Sequence, residues 1–116
     1  WLEQQGYDVV YASNLDLQLD PDTLKMAKVF LSVGDDEYWS RRMFEEALEA
    51  RDQGLSFAFF SGNTLWHEII SYNSTVTGLP CRAFARKQYF DGEEAKLTGL
   101  RSGPSLPSPS TGFMKA

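Results

Sequence analysis

The sequence predicts an α/β fold with an open, mostly parallel sheet and flanking helices, and three observations carry that expectation. VFLSV at 29–33 and LSFAFF at 55–60 are continuous apolar runs, the pattern of strands covered on both faces. Between them RRMFEEALEARDQG at 41–54 has the apolar spacing of an amphipathic helix. Strand and helix alternate at short intervals along 7–60, as right-handed crossovers building a parallel sheet require.

The elements follow in order. Trp1 and Leu2 open an amphipathic segment that Gly6 ends, and YDVVYA at 7–12 alternates as a strand does, with Val9, Val10 and Tyr11 favouring β structure. Asp20 is placed to cap a short helix with Pro21 at its first position and Asp22 in its first turn, ending near Ala27. Ser40 is the expected N-cap of the next helix, whose stripe comprises Met43, Phe44, Ala47, Leu48 and Arg51, and Gly54 stops it. The segment WHEIISYNSTVTGLP is ambiguous, whereas CRAFARKQYFDG reads as a strand with a turn at Asp91-Gly92. The Pro/Ser-rich stretch SGPSLPSPSTG at 102–112 is expected to be disordered or loosely draped. The organised α/β unit is expected over residues 1–92, as a partial domain, with an irregular tail over 93–116.

With 116 residues the chain holds at most one domain. It starts inside an amphipathic segment, which suggests a piece of a longer protein. No stretch approaches the roughly 18 apolar residues that span a membrane, so it is expected to be soluble; its compartment stays open, with the cytoplasm preferred. A net charge of −5 with scattered Lys and Arg argues against nucleic acid as a partner. Cys81 is the single cysteine and His67 the single histidine, too few for an internal disulfide or a zinc site.

Ligands of open parallel sheets bind outside the carboxyl ends of the strands. Three such ends are expected to share one rim: Ser13-Asn14, Gly34 to Tyr38, and Ser61-Gly62-Asn63. Asp35, Asp36 and Glu37 therefore fall on the functional edge. Clustered carboxylates repel, so some hold a proton near neutrality or are kept charged by a cation, and each is a hard metal ligand or a general base. The competing reading is that these acids precede a helix and complement its dipole. Of the other chemistry-bearing residues, His67 beside Trp66 reads as a satisfied or partly exposed side chain. Cys81 reads as a small hydrophobe. Tyr38, Trp39 and Trp66 read as core aromatics that could wall a small pocket. The Asn73-Ser74-Thr75 triplet fits a glycosylation pattern common by chance.

WLEQQGYDVVYASNLDL, VFLSVGDDEYWS and FAFFSGNTLWHEI, in this order, resemble the C-terminal domain of the large (beta) subunit of N,N-dimethylformamidase and its relatives. The likeness covers residues 1 to about 90. Its most specific elements are a G-x-x-E-Y block and an S-G-N block about 25 residues later. The resemblance implies a flavodoxin-like fold of the class I glutamine-amidotransferase type without the usual catalytic cysteine. It also implies an amidohydrolase whose iron is held by two tyrosines and a glutamate. That glutamate aligns with Glu37, and the family histidine aligns with Asp35, so the histidine is missing here. The ligand tyrosines fall upstream of Trp1, so Tyr38 does not take that role. Asn63 is placed to orient water or substrate.

The leading expectation is therefore a fragment or truncated homologue of a dimethylformamidase-like amide hydrolase, contributing Glu37 to an iron site. The remainder of the parent chain or further subunits would complete that site, and a small amide would be the substrate. The alternative is a non-catalytic α/β domain for assembly or small-ligand binding. An exposed sheet edge would favour homo-oligomers in either case.

Overall fold

The computed structural model describes residues 1–100; the expectation of disorder over 102–112 lies outside them. Trp1 to Gly6 form a short 3-10 turn at Glu3–Gln5, closed by Gly6 in the left-handed region. Helix α1, Asn14–Leu19, opens with a reciprocal capping box in which Ser13 and Asp16 satisfy each other's backbone amides. Pro21–Met26 is a 3-10 helix capped by Asp20, whose carboxylate accepts from the Asp22 amide at 3.0 Å. The strands are β1 (Val29–Asp35), β2 (Tyr38–Ser40), β3 (Ser56–Gly62), β4 (His67–Tyr72) and β5 (Ala83–Tyr89). Helix α2 spans Arg41–Asp52 and helix α3 Ala95–Thr98.

The expected open, mostly parallel sheet of the flavodoxin or class I glutamine-amidotransferase type is not what forms. The strands divide into two small sheets, a parallel pair β1–β3 and a mixed triple in the order β2–β4–β5. Within the triple, β2 and β4 are parallel, β4 and β5 antiparallel, with an irregularity between Glu68 and Ile69. The physical reason lies in the connections. Only Asp36 and Glu37 separate β1 from β2, and residues 63–66 separate β3 from β4. Each chain thus bends out of the first sheet into the second instead of entering a helix at the strand end.

Two further strand expectations are corrected. Among the described residues, 7–12 pair with no strand, and Tyr7, Val10 and Tyr11 lie exposed, so the β-favouring residues there have no ladder to join. Nor is β1–β3 covered on both faces. Phe30, Ser32, Phe57 and Phe59 turn to the core, while Val29, Leu31, Val33 and Phe60 stay solvent-exposed on the other side.

The core sits between α2 and the inner faces of both sheets. Ser40 caps α2, its hydroxyl accepting from the Met43 amide at 3.1 Å, and Met43, Phe44, Ala47 and Ala50 form the buried stripe. Trp39, fully buried, meets the Phe30 ring edge-on with centroids 6.2 Å apart, which joins the β2 sheet to the β1 sheet. Burial of a side chain such as Phe44 or Met43 contributes roughly 1.5–3 kcal/mol. Leu97 of α3 closes the far side of the same cluster.

Candidate functional site

The two links between the sheets run side by side and are laced by main-chain hydrogen bonds. The Asp36 amide donates to the Gly62 carbonyl at 3.3 Å, Leu65 to the Asp36 carbonyl at 3.0 Å, and His67 to the Glu37 carbonyl at 2.9 Å. Asn63 and Leu65 hold positive φ, 50° and 58°. For leucine that conformation costs on the order of 1–3 kcal/mol, and the full burial of its side chain offsets it. The GDDE and SGN blocks, distant in sequence, thus form one rigid joint. The third expected member of the rim is present as well: the Asn14 side-chain amide donates to Asp36 Oδ1 at 3.3 Å and to the Tyr38 carbonyl at 3.1 Å.

Asp36 is the hub of the joint. Ser32 Oγ donates to its Oδ2 at 2.6 Å and the indole of Trp39 to its Oδ1 at 2.8 Å. A hydroxyl chain continues behind it, Ser32 to Ser61 at 2.6 Å and Ser61 to Thr64 at 2.7 Å. Since the single Ser32 proton goes to the carboxylate, Ser61 must donate to Ser32 and Thr64 to Ser61. All the polar groups of this strip between β1 and β3 are thereby satisfied, with Asp36 as terminal acceptor.

Glu37 is held differently. Its side chain is 14 % exposed, and its Oε1 lies 3.2 Å from Nε2 of His67, itself 6 % exposed at the side chain. The imidazole is stacked on Tyr38 and Trp66, at 5.7 Å and 5.2 Å between centroids, and packs against Tyr89 at 4.6 Å. Its Nδ1 is buried without a hydrogen-bond partner among the described residues. His67 is therefore the first residue of β4 and part of the joint, not a bystander in an apolar segment. The signal that could have found it is its place four residues beyond Asn63, where the second link must rejoin a ladder opposite Tyr38.

Asp35 ends β1 opposite Gly62 and is exposed, and Asn63 is exposed at the start of the second link. Glu37, Asp35 and Asn63 belong to the same joint, yet among the described residues no hydrogen bond connects their side chains. The helix-dipole reading of the acids fails, because β2 stands between them and α2 and the first turn of α2 holds no acid. Cys81, on the approach to β5, has its sulfur 3.5 Å from the Ser71 hydroxyl.

A second polar centre lies under β4. Glu68, 1 % exposed at its side chain, accepts from Arg41 at 2.7 Å, Lys87 at 2.9 Å and Gln88 at 2.9 Å. Burial pushes its carboxyl up, but hydrogen bonds from Arg41, Lys87 and Gln88 outweigh this and bring its pKa down to about 2. The guanidinium of Arg41, raised in turn chiefly by its hydrogen bond to Glu68, also pairs with Glu93 and lies over the rings of Phe44 and Phe90. This cluster ties α2 to β4 and β5 and is structural in character.

Among the described residues no group of three or more His, Cys, Asp or Glu side chains could hold a metal ion. Asp36 already accepts from Ser32, Trp39 and Asn14, which leaves the exposed Asp35 carboxylate and Glu37 Oε2 as the less engaged hard donors at the joint. The donor set does not amount to a metal centre by itself; it fits the contribution of one carboxylate ligand to a centre completed by other groups. Among the described residues no helix is long and apolar enough to cross a membrane.

No curated protein and no solved structure matches the chain. A family model does match, over residues 1–108, which include both blocks of the joint and the segment leading to it. The chain belongs to the family described as N,N-dimethylformamidase beta subunit-like, C-terminal.

Proposed function

We propose that the chain supplies part of the active site of a metal-dependent amide hydrolase of the dimethylformamidase type, with Glu37 as one ligand of an iron ion. The observation that carries the reading is the joint itself. A largely buried carboxylate with one oxygen 3.2 Å from His67 sits on a link laced to a second one in which Asn63 and Leu65 hold positive φ, where pre-organisation is expected of a working site. A family of subunit-like domains accords with a centre whose remaining ligands come from the rest of a parent chain or from further subunits. When bound, such an ion polarises an amide carbonyl and acidifies a bound water. The chain's own residues would do the rest. Glu37 presents a fixed oxygen, and Asn63 offers an amide that can donate to a substrate oxygen or orient water. Asp35, in place of the family histidine, supplies a solvent-exposed carboxylate as proton acceptor.

Hydrolysis of N,N-dimethylformamide by the assembled protein containing this chain tests the reading. Glu37→Ala should abolish turnover, and Asn63→Ala should lower kcat by about 100-fold, the usual cost of removing one oriented donor. Full activity in Glu37→Ala would overturn the assignment. The exposed apolar face of β1–β3 favours a second reading, a non-catalytic domain serving assembly. That reading predicts an assembled protein with no amidase activity in the unmodified form.

A further inference from the structure

His67 Nε2 has two neighbours with opposite demands. Glu37 Oε1, at 3.2 Å, needs that nitrogen to carry a proton; Arg86 Nη1, at 3.4 Å, can only donate and needs it bare. Burial decides between them. The Glu37 side chain is 14 % exposed, and among the described residues His67 is its only side-chain partner. Arg86 is exposed on β5 and water can solvate it. Depriving a mostly desolvated carboxylate of its partner costs more than leaving a solvated guanidinium to water. The proton on Nε2 is therefore assigned to the Glu37 side, and Nδ1 is the ring atom without a hydrogen-bond partner among the described residues. The ring cannot turn away easily, because Tyr38, Trp66 and Tyr89 pack against it and the His67 amide is bonded to the Glu37 carbonyl.

We propose that His67 is a positioning residue for Glu37: the clamped imidazole holds Oε1 and fixes the carboxylate so that Oε2 is the oxygen free to act. This rests on the reading of Glu37 as the working carboxylate of the joint. It assigns a role to a side chain that stands on a different strand from the acid it orients. Tyr38 and Tyr89 then serve the site by immobilising the ring and not by ligation.

Because His67 is the only histidine of the chain, imidazole labelling with nitrogen-15 reads it without assignment. In the full chain the spectrum should show a protonated Nε2. Glu37→Ala should convert it to a mixture or to the Nδ1–H form, while Arg86→Met should leave it unchanged. A bare Nε2 in the unsubstituted chain, or a spectrum indifferent to Glu37→Ala, would overturn the proposal. Binding of Fe(II) alone to the assembled protein containing this chain, followed anaerobically, supplies the second readout. His67→Leu should weaken it about 10–100-fold, the usual cost of losing a partner that orients a ligand, and His67→Gln, which retains an N–H, should recover much of the loss. Equal affinity in His67→Leu and the unsubstituted chain would count against positioning. If the unsubstituted assembled protein takes up no Fe(II) at all, the ligand reading of Glu37 fails, and the nitrogen spectra alone decide the pairing.

Discussion

Three adjacent acids at the end of β1 have three different fates, and each fate follows from what the neighbouring strand presents. Asp35 points into water. Asp36 collects three donors from Ser32, Trp39 and Asn14. Glu37 meets an imidazole. Removing the acceptor at Asp36 leaves a buried hydroxyl and an indole N–H short of a partner, so Asp36→Ala should lose about 1–3 kcal/mol in urea unfolding. Asp35→Ala should stay within about 0.5 kcal/mol. The cluster was legible in the sequence as a place of interest, but its division of labour was not, because the partners lie 3 to 30 residues away, on β1, β2, α1 and β4, and only the folded joint brings them together. Glu68 makes a further prediction. Its folded pKa, about 2, is below the ordinary 4.5, so its contribution is fully present above about pH 4.5 and is lost as the pH falls through about 2. The span corresponds to an upper bound on the order of 3 kcal/mol. Glu68→Gln should flatten that acid limb of the stability curve; an unchanged limb would assign the acid sensitivity to other groups.

At the level of elements, α2 was readable because all its signals are local: the Ser40 cap, the apolar stripe and Gly54, which takes φ 105° just after the last turn. Ser40 also donates to the side chain of Gln18 on α1, so the cap doubles as a tie between helices. Ser40→Ala should lower stability by about 1 kcal/mol or somewhat more, measured by urea unfolding, and a neutral result would remove the cap from the account. Helix α1 was not anticipated: Ser13-Asn14 reads as a strand end, and the six-residue helix that the Ser13–Asp16 capping box opens is too short to show an apolar period. The turn at Asp91-Gly92 was readable because its signal is local, since both residues hold positive φ and that pair favours it. Strand partners were not readable. β1 and β3 were located, yet β2 is only three residues long and β4 carries both apolar and polar residues on each face, so their pairing depends on the joint and not on pattern. YDVVYA shows the converse, a strand-like composition without a ladder.

For the whole molecule, two bent chain paths joined at one seam replace the single sheet that the alternation of strand and helix suggested. The seam is where the family-specific blocks converge, so the part of the fold that pattern misjudged is the part that builds the candidate site. The same architecture leaves Val29, Leu31, Val33 and Phe60 uncovered, an apolar face that parallel strands seldom expose. Val33→Lys combined with Phe60→Lys should reduce binding of a hydrophobic dye by the chain without lowering its unfolding midpoint; loss of folding instead would show that the face is packed in solution. The central claim is that Glu37 is a metal ligand at the seam, and iron content measures it most directly. Elemental analysis of the assembled protein containing this chain should find about one iron per chain, and Glu37→Ala should remove it while the assembly stays intact. Iron retained in full by Glu37→Ala would contradict the claim and leave the seam as a structural joint alone.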